Sequence, residues 1–336
     1  MRIGLITPEP GHPLLAAAAA LLAPGHTVEA LDPAAAAEVP GPVADVYLLK
    51  SRTPRALELA RHLEGRGAPV VNTAAATALC QDRTAMAELA LRAGLPFAGT
   101  RTVGSLSAWA AAGAPLRCPV VVKSRRSRRG DLVARVDDAA GLRELAARWP
   151  EEPVVVQDFA PNSGWDHKLW AIGDQVFAAV RRSELSPGGR GPNLPSAPSE
   201  LPAGWADLVR AAGEAFALDV FGVDIIDAGG GEPLIVDVNA FPGLRGQPGA
   251  PEALAALALR RAAGMGRAGT GSVGSGSAGS GSASTGSAST GSGGSGSAGP
   301  GSAGPGSAGT GSAGTGSVGP GSAGPGRVGS GSVAAP

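Results

Sequence analysis

Two apolar segments on either side of a glycine turn decide the fold: Phe221-Gly222-Val223-Asp224-Ile225-Ile226 and Ile235-Val236-Asp237-Val238-Asn239, with Gly229-Gly230-Gly231 between them. Both are predicted to be buried β-strands that pair across this turn. Successive side chains of a strand point to opposite faces, so Asp237 and Asn239 share one face. A carboxylate in an apolar strand is costly unless a cation or a hydrogen-bond donor compensates it. The two strands are therefore predicted to carry a binding site.

Asp224, Asp237 and Asn239 are the candidates for a metal site. Three hard oxygen ligands on adjacent strands suit Mg²⁺ (or Mn²⁺), which keeps waters and adds substrate phosphates. The residues alone leave a second interpretation open, in which these side chains cap turns or pair with arginines. Zinc is not expected, because the four histidines are scattered and Cys80 and Cys118 are too few for a multi-cysteine cluster or a disulfide scaffold.

A lysine and a basic loop form the second candidate feature. Lys123 follows the apolar strand Val120-Val121-Val122 and could bind a phosphate as a point charge, although an ordinary strand-end lysine is the alternative. The loop that follows contains four guanidiniums that would attract ATP phosphates or an acidic substrate. An equal alternative is that these side chains are simply solvated. These arginines are Arg125, Arg126, Arg128 and Arg129. No P-loop motif is present, so a phosphate site must be built another way.

The charges of the 336-residue chain balance, with 28 Lys and Arg against 28 Asp and Glu. Residues 267–336 contain only two of them, Arg267 and Arg327, and repeat with the five-residue pattern G-[PTS]-G-[SR]-[AV]. Small side chains bury too little apolar area to offset backbone ordering, so this tail is predicted to be disordered and without chemistry. The near-neutral body excludes nucleic-acid binding driven by bulk charge, and no stretch approaches the roughly 18 apolar residues of a membrane span.

The body alternates strands and helices. Predicted strands at 3–7, 27–31 and 43–49, with helices at 14–22 and 54–66, form a βαβ pattern that indicates a parallel sheet. Asp82 is predicted to cap a helix over 84–92. Beyond it, the predicted strands are 120–123, 132–136, 154–158, 168–172, 176–180, 221–227 and 234–239, and the last two form a pair. An α/β beginning followed by an α+β remainder predicts separate lobes.

These pieces in this order resemble the ATP-grasp superfamily and, within it, the RimK-type glutamate ligases. The resemblance covers most of residues 1–250. Its N-terminal half consists of Gly25-His26-Thr27-Val28-Glu29-Ala30-Leu31-Asp32-Pro33, Asp82-Arg83, Ala93-Gly94-Leu95-Pro96, Val120-Val121-Val122-Lys123 and Val156-Gln157-Asp158-Phe159. Its C-terminal half consists of Gly164-Trp165-Asp166-His167-Lys168, Arg181-Arg182, Gly222-Val223-Asp224-Ile225 and Asp237-Val238-Asn239-Ala240-Phe241-Pro242-Gly243. The ordered set is specific for the superfamily, whereas each fragment alone is weak.

The resemblance implies an ATP-grasp fold in four parts. An N-terminal pre-ATP-grasp α/β lobe would span 1–80. Two α+β lobes, a central or lid lobe at 81–155 and a C-terminal lobe with the metal site at 156–266, would clamp ATP between them. The disordered tail would follow at 267–336.

The resemblance also assigns roles to individual residues. Lys123 would contact phosphate, and Arg83 stands where the family has another phosphate-binding lysine. The backbone of Asp158 and Phe159 matches the adenine hinge, and Asp166 matches the ribose contact. The full nucleotide-binding set is Arg83, Lys123, Gln157, Asp158, Phe159, Asp166, Lys168 and Asn193. Arg182 would be catalytic, and Asp224, Asp237 and Asn239 would hold Mg²⁺.

The activity implied is a cytoplasmic, ATP- and Mg²⁺-dependent carboxylate–amine ligase that forms an amide through an acyl phosphate. Its partners would be a carboxylate-bearing substrate and an amine, without nucleic acid or membrane, and homo-oligomerisation is left open. Two alternatives remain: an inositol-phosphate-type kinase and a nucleotide-binding module without turnover. The kinase gains from Asp237, where RimK-type ligases carry Glu. The arginines, in a loop that is normally glycine-rich, could favour a polyanionic inositol phosphate or equally a glutamate-rich peptide. Asn162 counts against the kinase, because those kinases carry His at this position.

Overall fold

The computed structural model describes residues 1–35, 41–113, 117–128 and 130–264. The described residues belong to one compact unit. The tail predicted to be disordered and Arg129 of the basic loop lie outside the described residues. Within the described part of the chain, no helix is long and apolar enough to cross a membrane.

The N-terminal part is a parallel four-stranded sheet with the order β2-β1-β3-β4. Its elements are β1 (Arg2–Ile6), α1 (Pro13–Leu22), β2 (Thr27–Leu31), β3 (Val46–Leu49), α2 (Pro54–Gly65), β4 (Val70–Val71) and α3 (Ala74–Leu79). α1 connects β1 to β2 and α2 connects β3 to β4, so each of these helices returns the chain to the same end of the sheet, as parallel pairing requires. All four residues of β3 are buried, which explains its uninterrupted apolar sequence. The predicted βαβ beginning is confirmed.

The middle part is an antiparallel sheet with the order β5-β8-β6-β7. Its elements are α4 (Arg83–Arg92), β5 (Thr100–Val103), α5 (Leu106–Ala111), β6 (Val120–Ser124), β7 (Val133–Val136), α6 (Ala139–Arg148) and β8 (Val154–Asp158). As predicted, Asp82 caps α4, because its carboxylate accepts a hydrogen bond from the amide of Thr84 at 3.0 Å. This sheet has its own core, which includes Leu106, Val122 and Leu142.

The third part is an antiparallel sheet with the order β11-β10-β9-β12-β13. Its elements are β9 (Trp165–Ile172), β10 (Gln175–Arg182), β11 (Leu194–Ser196), a 3₁₀ turn (Pro198–Glu200), α7 (Trp205–Ala215), β12 (Val220–Asp227), β13 (Pro233–Ala240) and α8 (Ala250–Ala262). The predicted strand pair around the three glycines is thus β12 and β13.

Two further cores join the third sheet to the rest of the molecule. Leu254 of α8 belongs to one core together with Leu15 of α1 and Leu48 of β3, so the N-terminal sheet and the third sheet share apolar packing. The other core packs α4 and α7 against β9 and β12. Since the middle sheet keeps a separate core, an open space remains between its inner face and that of the third sheet, and the site lies there.

Candidate active site

A cleft between the middle and third sheets brings most of the predicted site residues together. Its empty space, including the open mouth, is about 1040 Å³, close to the upper end of the roughly 300–1,000 Å³ that small-molecule pockets usually offer. The predicted residues that line it are Arg83, Lys123, Gln157, Asp158, Phe159, Asp166, Lys168, Asp224 and Asp237. Arg182, Asn193 and Asn239 do not line this cleft.

Three charged side chains form a row across three strands on the floor of the cleft. In the strand register, Asp224 of β12 lies opposite Lys168 of β9 on one side and opposite Asp237 of β13 on the other. The ammonium group of Lys168 contacts the carboxylate of Asp224 directly. The register of β12 and β13 shifts between Asp224 and Ile225, as at a β-bulge, a device that re-aims side chains beside active sites.

Asp237 keeps one carboxylate oxygen without a partner. Its Oδ2 accepts a hydrogen bond from Arg83 at 3.1 Å, whereas its Oδ1 is buried and has no hydrogen-bond partner among the described residues. Burial favours the neutral acid, but the positive charges of Arg83 and Lys123 outweigh it and lower the pKa of Asp237. Asp237 is therefore ionised and lines the cleft, and one of its carboxylate oxygens is left for a cation to bind.

Lys123 is buried beside Asp237. Its ammonium group donates a hydrogen bond to the carbonyl oxygen of Val236 at 2.8 Å. Burial lowers the pKa of Lys123 to about 8, with Asp237 opposing the shift and Arg83 adding to it. The ammonium form is thus retained at neutral pH, and the lysine is available as a charge for an anion entering the cleft.

Arg83 connects the loop after β6 to β13. Its Nη1 donates hydrogen bonds to the carbonyl oxygen of Ser124 at 2.8 Å and to Asp131 at 2.6 Å, and its Nη2 reaches Asp237. Only 6% of its side chain is exposed, so the guanidinium is fixed from both sides. Arg83 therefore fixes the position of the loop after β6 relative to β13.

The structure places Arg181, which sequence reasoning missed, inside the cleft. Arg181 of β10 lies opposite Asp166 of β9 and donates a hydrogen bond to its carboxylate at 3.2 Å. Lys168 lies 3.7 Å from the same carboxylate. Arg182, the predicted catalytic residue, points to the other face of β10, where its guanidinium lies 4.8 Å from the centre of the Trp165 ring.

The predicted adenine hinge lies at the end of β8. Gln157 is buried and donates a hydrogen bond to the hydroxyl of Thr100 at 3.0 Å. Asp158 is exposed, and the ring of Phe159 packs beneath the guanidinium of Arg135 at 4.1 Å. Gln157 is thus held within the sheet, while Asp158 and Phe159 face the mouth of the cleft.

The described arginines of the basic loop are paired with carboxylates of the protein itself. Arg125 donates two hydrogen bonds to Asp82, at 3.1 and 2.9 Å, and Arg126 lies 3.3 Å from the same carboxylate. Arg128 donates a hydrogen bond to Glu152 at 2.9 Å. The loop is therefore docked on the start of α4, and these guanidiniums already have anionic partners.

A second cavity, of about 650 Å³, lies between β3 and the segment after β13. Asn239 lines this cavity, although it shares a strand face with Asp237. Lys50 projects from the N-terminal sheet, donates a hydrogen bond to the carbonyl oxygen of Phe241 at 2.9 Å, and has a pKa lowered to about 8, mainly by burial. The hydroxyl of Thr77 is buried in the wall without a described partner, and Arg52 adds a second cation.

Asn193 lies in neither cavity. It is exposed and immediately precedes β11, at the edge of the third sheet. Among the described residues, no group of three or more His, Cys, Asp or Glu side chains is arranged to hold a metal by itself. The unpaired oxygen of Asp237 beside Asp224 nevertheless fits a hard cation that takes its remaining ligands from water and phosphate.

Comparison with known proteins gives a family match over the centre of the chain. Residues 108–250 match the model of the RimK-like ATP-grasp domain. A probable alpha-L-glutamate ligase 2 of Hahella chejuensis is 34% identical over 139 residues, which are 38% of this chain and 44% of that relative. A ribosomal protein bS6–L-glutamate ligase of Shigella boydii serotype 4 is 29% identical over 252 residues, or 66% of this chain and 81% of the relative. The chain thus spans less than half of the first relative and most of the second.

Solved structures extend the similarity to between 77% and 79% of this chain. A RimK domain protein ATP-grasp from Sphaerobacter thermophilus superposes with a TM-score of 0.61 at 25% identity, over 77% of this chain and 100% of that one. The ATP-grasp ligase PsnB complexed with minimal precursor, Mg and ADP gives 0.58 at 17% identity, over 78% and 97%. D-alanine–D-alanine ligase from Bacillus anthracis complexed with ATP gives 0.59 at 15% identity, over 79% and 100%. The latter two establish a shared fold.

Proposed function

We propose that the protein is an ATP-grasp ligase that joins a carboxylate to an amine with ATP and Mg²⁺, on the premise that residues 108–250 match the model of the RimK-like ATP-grasp domain. The observation that carries the proposal is the buried, unpartnered Oδ1 of Asp237, next to Asp224 and the buried ammonium of Lys123. A polar atom buried without a protein partner is uncommon in folded proteins and is usually satisfied by a water, an ion or a ligand.

The nucleotide would lie along the cleft with its phosphates at the charged end. Lys123, Lys168 and Arg83 supply positive charge there, although Lys168 is paired with Asp224 and Arg83 with Asp237. Asp224 and Asp237 would hold Mg²⁺. Asn239, the third predicted ligand, lines the second cavity and would have to turn toward them. Mg²⁺, when bound, would neutralise the phosphate oxygens and so favour attack by an anion. Asp158 and Phe159 would meet the adenine, and Asp166 the ribose. The role predicted for Asn193, near the reacting groups, requires the segment before β11 to move toward the cleft.

The reaction would proceed in two steps. A carboxylate oxygen of the substrate attacks the γ-phosphorus, the bond to the β,γ-bridging oxygen breaks, and ADP leaves with an acyl phosphate formed. The amine then attacks the acyl carbon, inorganic phosphate leaves, and the amine proton passes to solvent. Arg181 lines the cleft and would stabilise the developing negative charge. Arg182, predicted for this role from the sequence, would have to turn from Trp165 to reach the same place.

The second cavity would receive a substrate. β13 presents Asp237 to the nucleotide cleft and Asn239 to the second cavity, so one strand forms a wall of both. Lys50 and Arg52 give this cavity a positive character that suits a carboxylate-bearing substrate. The relatives are named for L-glutamate and ribosomal protein bS6, so acidic amino acids and acidic peptides are the first compounds to test.

The predicted division into parts at 1–80, 81–155 and 156–266 becomes part of this proposal. The lobe that carries β6 and β7 would close over the nucleotide and exclude water, which would otherwise hydrolyse the acyl phosphate. Arg83 contacts both the loop after β6 and Asp237, and would act as the tether during closure. We place the enzyme in the cytoplasm because the reaction consumes ATP.

The kinase alternative receives less support from the geometry. One of its arguments was that the basic loop could bind a polyanionic inositol phosphate, although the loop could equally favour a glutamate-rich peptide. Arg125 and Arg126 are paired with Asp82, and Arg128 with Glu152, so these guanidiniums would have to leave carboxylates of the protein first.

A screen for ADP release tests the proposed function. The full chain would be incubated with Mg²⁺ and ATP, with L-glutamate, other amino acids and acidic peptides singly and in pairs, and the products would be examined by mass spectrometry. The ligase predicts ADP, phosphate and an amide product that appear only when both a carboxylate and an amine are present. A phosphorylated polyol would establish the kinase instead, and ATP binding without any product would establish a module without turnover.

A further inference from the structure

We propose that Arg135 is a nucleobase-binding residue that stacks its guanidinium on the purine of the bound nucleotide. This inference rests on the proposed function only in requiring that a nucleotide occupies the cleft. None of the sequence predictions involved Arg135, which lies at the end of the edge strand β7. Its contacts nevertheless place it at the mouth of the cleft.

The strand register places Arg135 on the inner face of the middle sheet. Arg135 lies opposite Val121 of β6, and Val121 lies opposite Gln157 of β8, so the three side chains form one row across the sheet. All three line the cleft. Lys123 is two residues further along β6 on the same face, about 6.6 Å away along the strand. Arg135 is therefore separated from the proposed phosphate end by the length of a base and its sugar.

Charge and apolar area divide the cleft into two ends. Lys123, Arg83 and Asp237 lie at one end. Val121 and Phe159 provide apolar surface at the other. A nucleotide has the same polarity, with phosphates at one end and a flat apolar base at the other, so the base belongs beside Val121 and Phe159. Arg135 is the cation at this end.

Asp137 fixes the orientation of the Arg135 guanidinium. The Nε of Arg135 donates a hydrogen bond to Asp137 at 2.7 Å, and its Nη2 lies 2.7 Å from the same oxygen. The guanidinium also lies 4.1 Å from the centre of the Phe159 ring. With 39% of its side chain exposed, Arg135 retains accessible surface for a second flat partner. A planar cation held in this way stacks well on aromatic rings.

The stacking predicts affinity without base selectivity. A guanidinium contacts the π-face of a base, which all purines present, and does not read the hydrogen-bonding edges. Arg135 would therefore strengthen the binding of adenine and guanine nucleotides alike. Any choice between them would be made by the backbone of Asp158 and Phe159.

Calorimetric titration of the full chain with Mg²⁺-ADP and with Mg²⁺-tripolyphosphate tests this role, because the second probe has phosphates and no base. Arg135→Ala is expected to weaken ADP binding about tenfold, which is within the range of desolvated cation–π contacts, and to leave tripolyphosphate binding unchanged. Arg135→Lys keeps the charge but loses the plane, so it should weaken ADP binding as well. Thermal melting of each variant would show that the fold is retained.

Arg101 provides a matched control. It lies on β5 of the same sheet, its guanidinium is 4.7 Å from the centre of the Trp109 ring, and it does not line the cleft. Arg101→Ala should leave the binding of both probes unchanged. If Arg135→Ala weakens the binding of ADP and of tripolyphosphate equally, Arg135 acts only as a general positive charge, and the inference is overturned. Unchanged ADP binding would also overturn it while leaving the proposed function intact, whereas a wild-type protein that does not bind ADP would overturn both.

Discussion

Arg83 and Asp237 are 154 residues apart in the sequence, yet the Nη2 of Arg83 donates a hydrogen bond to the Oδ2 of Asp237 at 3.1 Å. The contact joins the first residue of α4 to the acidic strand β13. It leaves the second oxygen of Asp237 buried beside Asp224, with no hydrogen-bond partner in the described part of the chain. One side chain thus holds a carboxylate in place for another ligand.

Replacement of Asp82 should release the basic loop. Asp82 caps α4 and also pairs with Arg125 and Arg126, so Asp82→Ala removes a cap worth about 1 kcal/mol together with two ion pairs. We expect a lower melting temperature and faster trypsin cleavage after Arg126. Both can be measured on the purified chain.

Asp138 provides the control for the Asp82 experiment. Its carboxylate caps α6 by accepting a hydrogen bond from the amide of Gly141 at 2.8 Å, and it is not paired with the basic loop. Asp138→Ala should therefore lower stability by a similar amount without faster cleavage after Arg126. Equal cleavage rates in the two variants would refute the docking role of Asp82.

Nucleotide affinity should fall at alkaline pH. The pKa of Lys123 is lowered to about 8 by burial, so its positive charge is present at neutral pH and is lost as the pH rises through that value. The dissociation constant of Mg²⁺-ADP should therefore rise above pH 8, by up to about tenfold per pH unit. Calorimetry between pH 6.5 and about 9.5 measures this, well below the range in which arginines titrate.

Lys50 must be separated from Lys123 in the pH experiment, because its pKa is also lowered to about 8. Lys50 lies in the second cavity and does not line the nucleotide cleft. Lys50→Met should therefore keep the pH dependence of ADP binding, whereas Lys123→Met should remove it and bind ADP weakly at every pH. If the pH dependence of ADP binding disappears in Lys50→Met, then Lys50 and not Lys123 is the lysine that titrates.

Lys123 also predicts how stability depends on pH. Its folded-state pKa lies below its ordinary value of 10.5, so the unfolded chain binds more protons between about pH 8 and 10.5. The destabilising contribution of the buried ammonium is complete below pH 8 and is relieved as the pH rises through this window. Urea unfolding of Lys123→Met should show a smaller gain in stability than the wild type from pH 8 to about 10. An identical gain in both proteins would contradict the assignment.

Two adjacent arginines should differ in their effect on turnover. Arg181 faces the cleft and bonds to Asp166, whereas Arg182 lies over Trp165 on the other face of β10. We expect Arg181→Gln to lower kcat by at least about a hundredfold, as is typical when a group that stabilises developing charge is lost. Arg182→Gln should have the smaller effect. The reverse order would return the catalytic role to Arg182, as the sequence alone predicted.

The acidic strand pair could be predicted because its signals are local. Gly229-Gly230-Gly231 marks the turn, and the alternation in β13 places Asp237 and Asn239 on one face. Arg181 could have been found by the same reasoning. The turn at Gly173-Asp174 pairs Ile172 with Gln175, and counting back along both strands places Arg181 opposite Asp166.

Other parts of the site depend on contacts between distant segments and could not be predicted. Arg125 of the basic loop forms its ion pair with Asp82, about forty residues earlier in the sequence. No local sequence pattern predicts a contact over this distance. Asn239 lines the second cavity because Lys50, 191 residues before Phe241, brings the N-terminal sheet against the end of β13. The short elements α3, α5, β5 and β11 escaped prediction because a few residues give too little periodicity.

If Asp237 is a cation ligand in a nucleotide site, Mg²⁺ should strengthen the binding of ADP through its carboxylate, and calorimetric titration of ADP with and without Mg²⁺ measures this. We expect Mg²⁺ to strengthen ADP binding to the wild type and to Asp174→Asn, a control at the exposed β9–β10 turn. Asp237→Asn should melt cooperatively but lose the effect of Mg²⁺. The same strengthening by Mg²⁺ in Asp237→Asn would show that Asp237 is not a cation ligand.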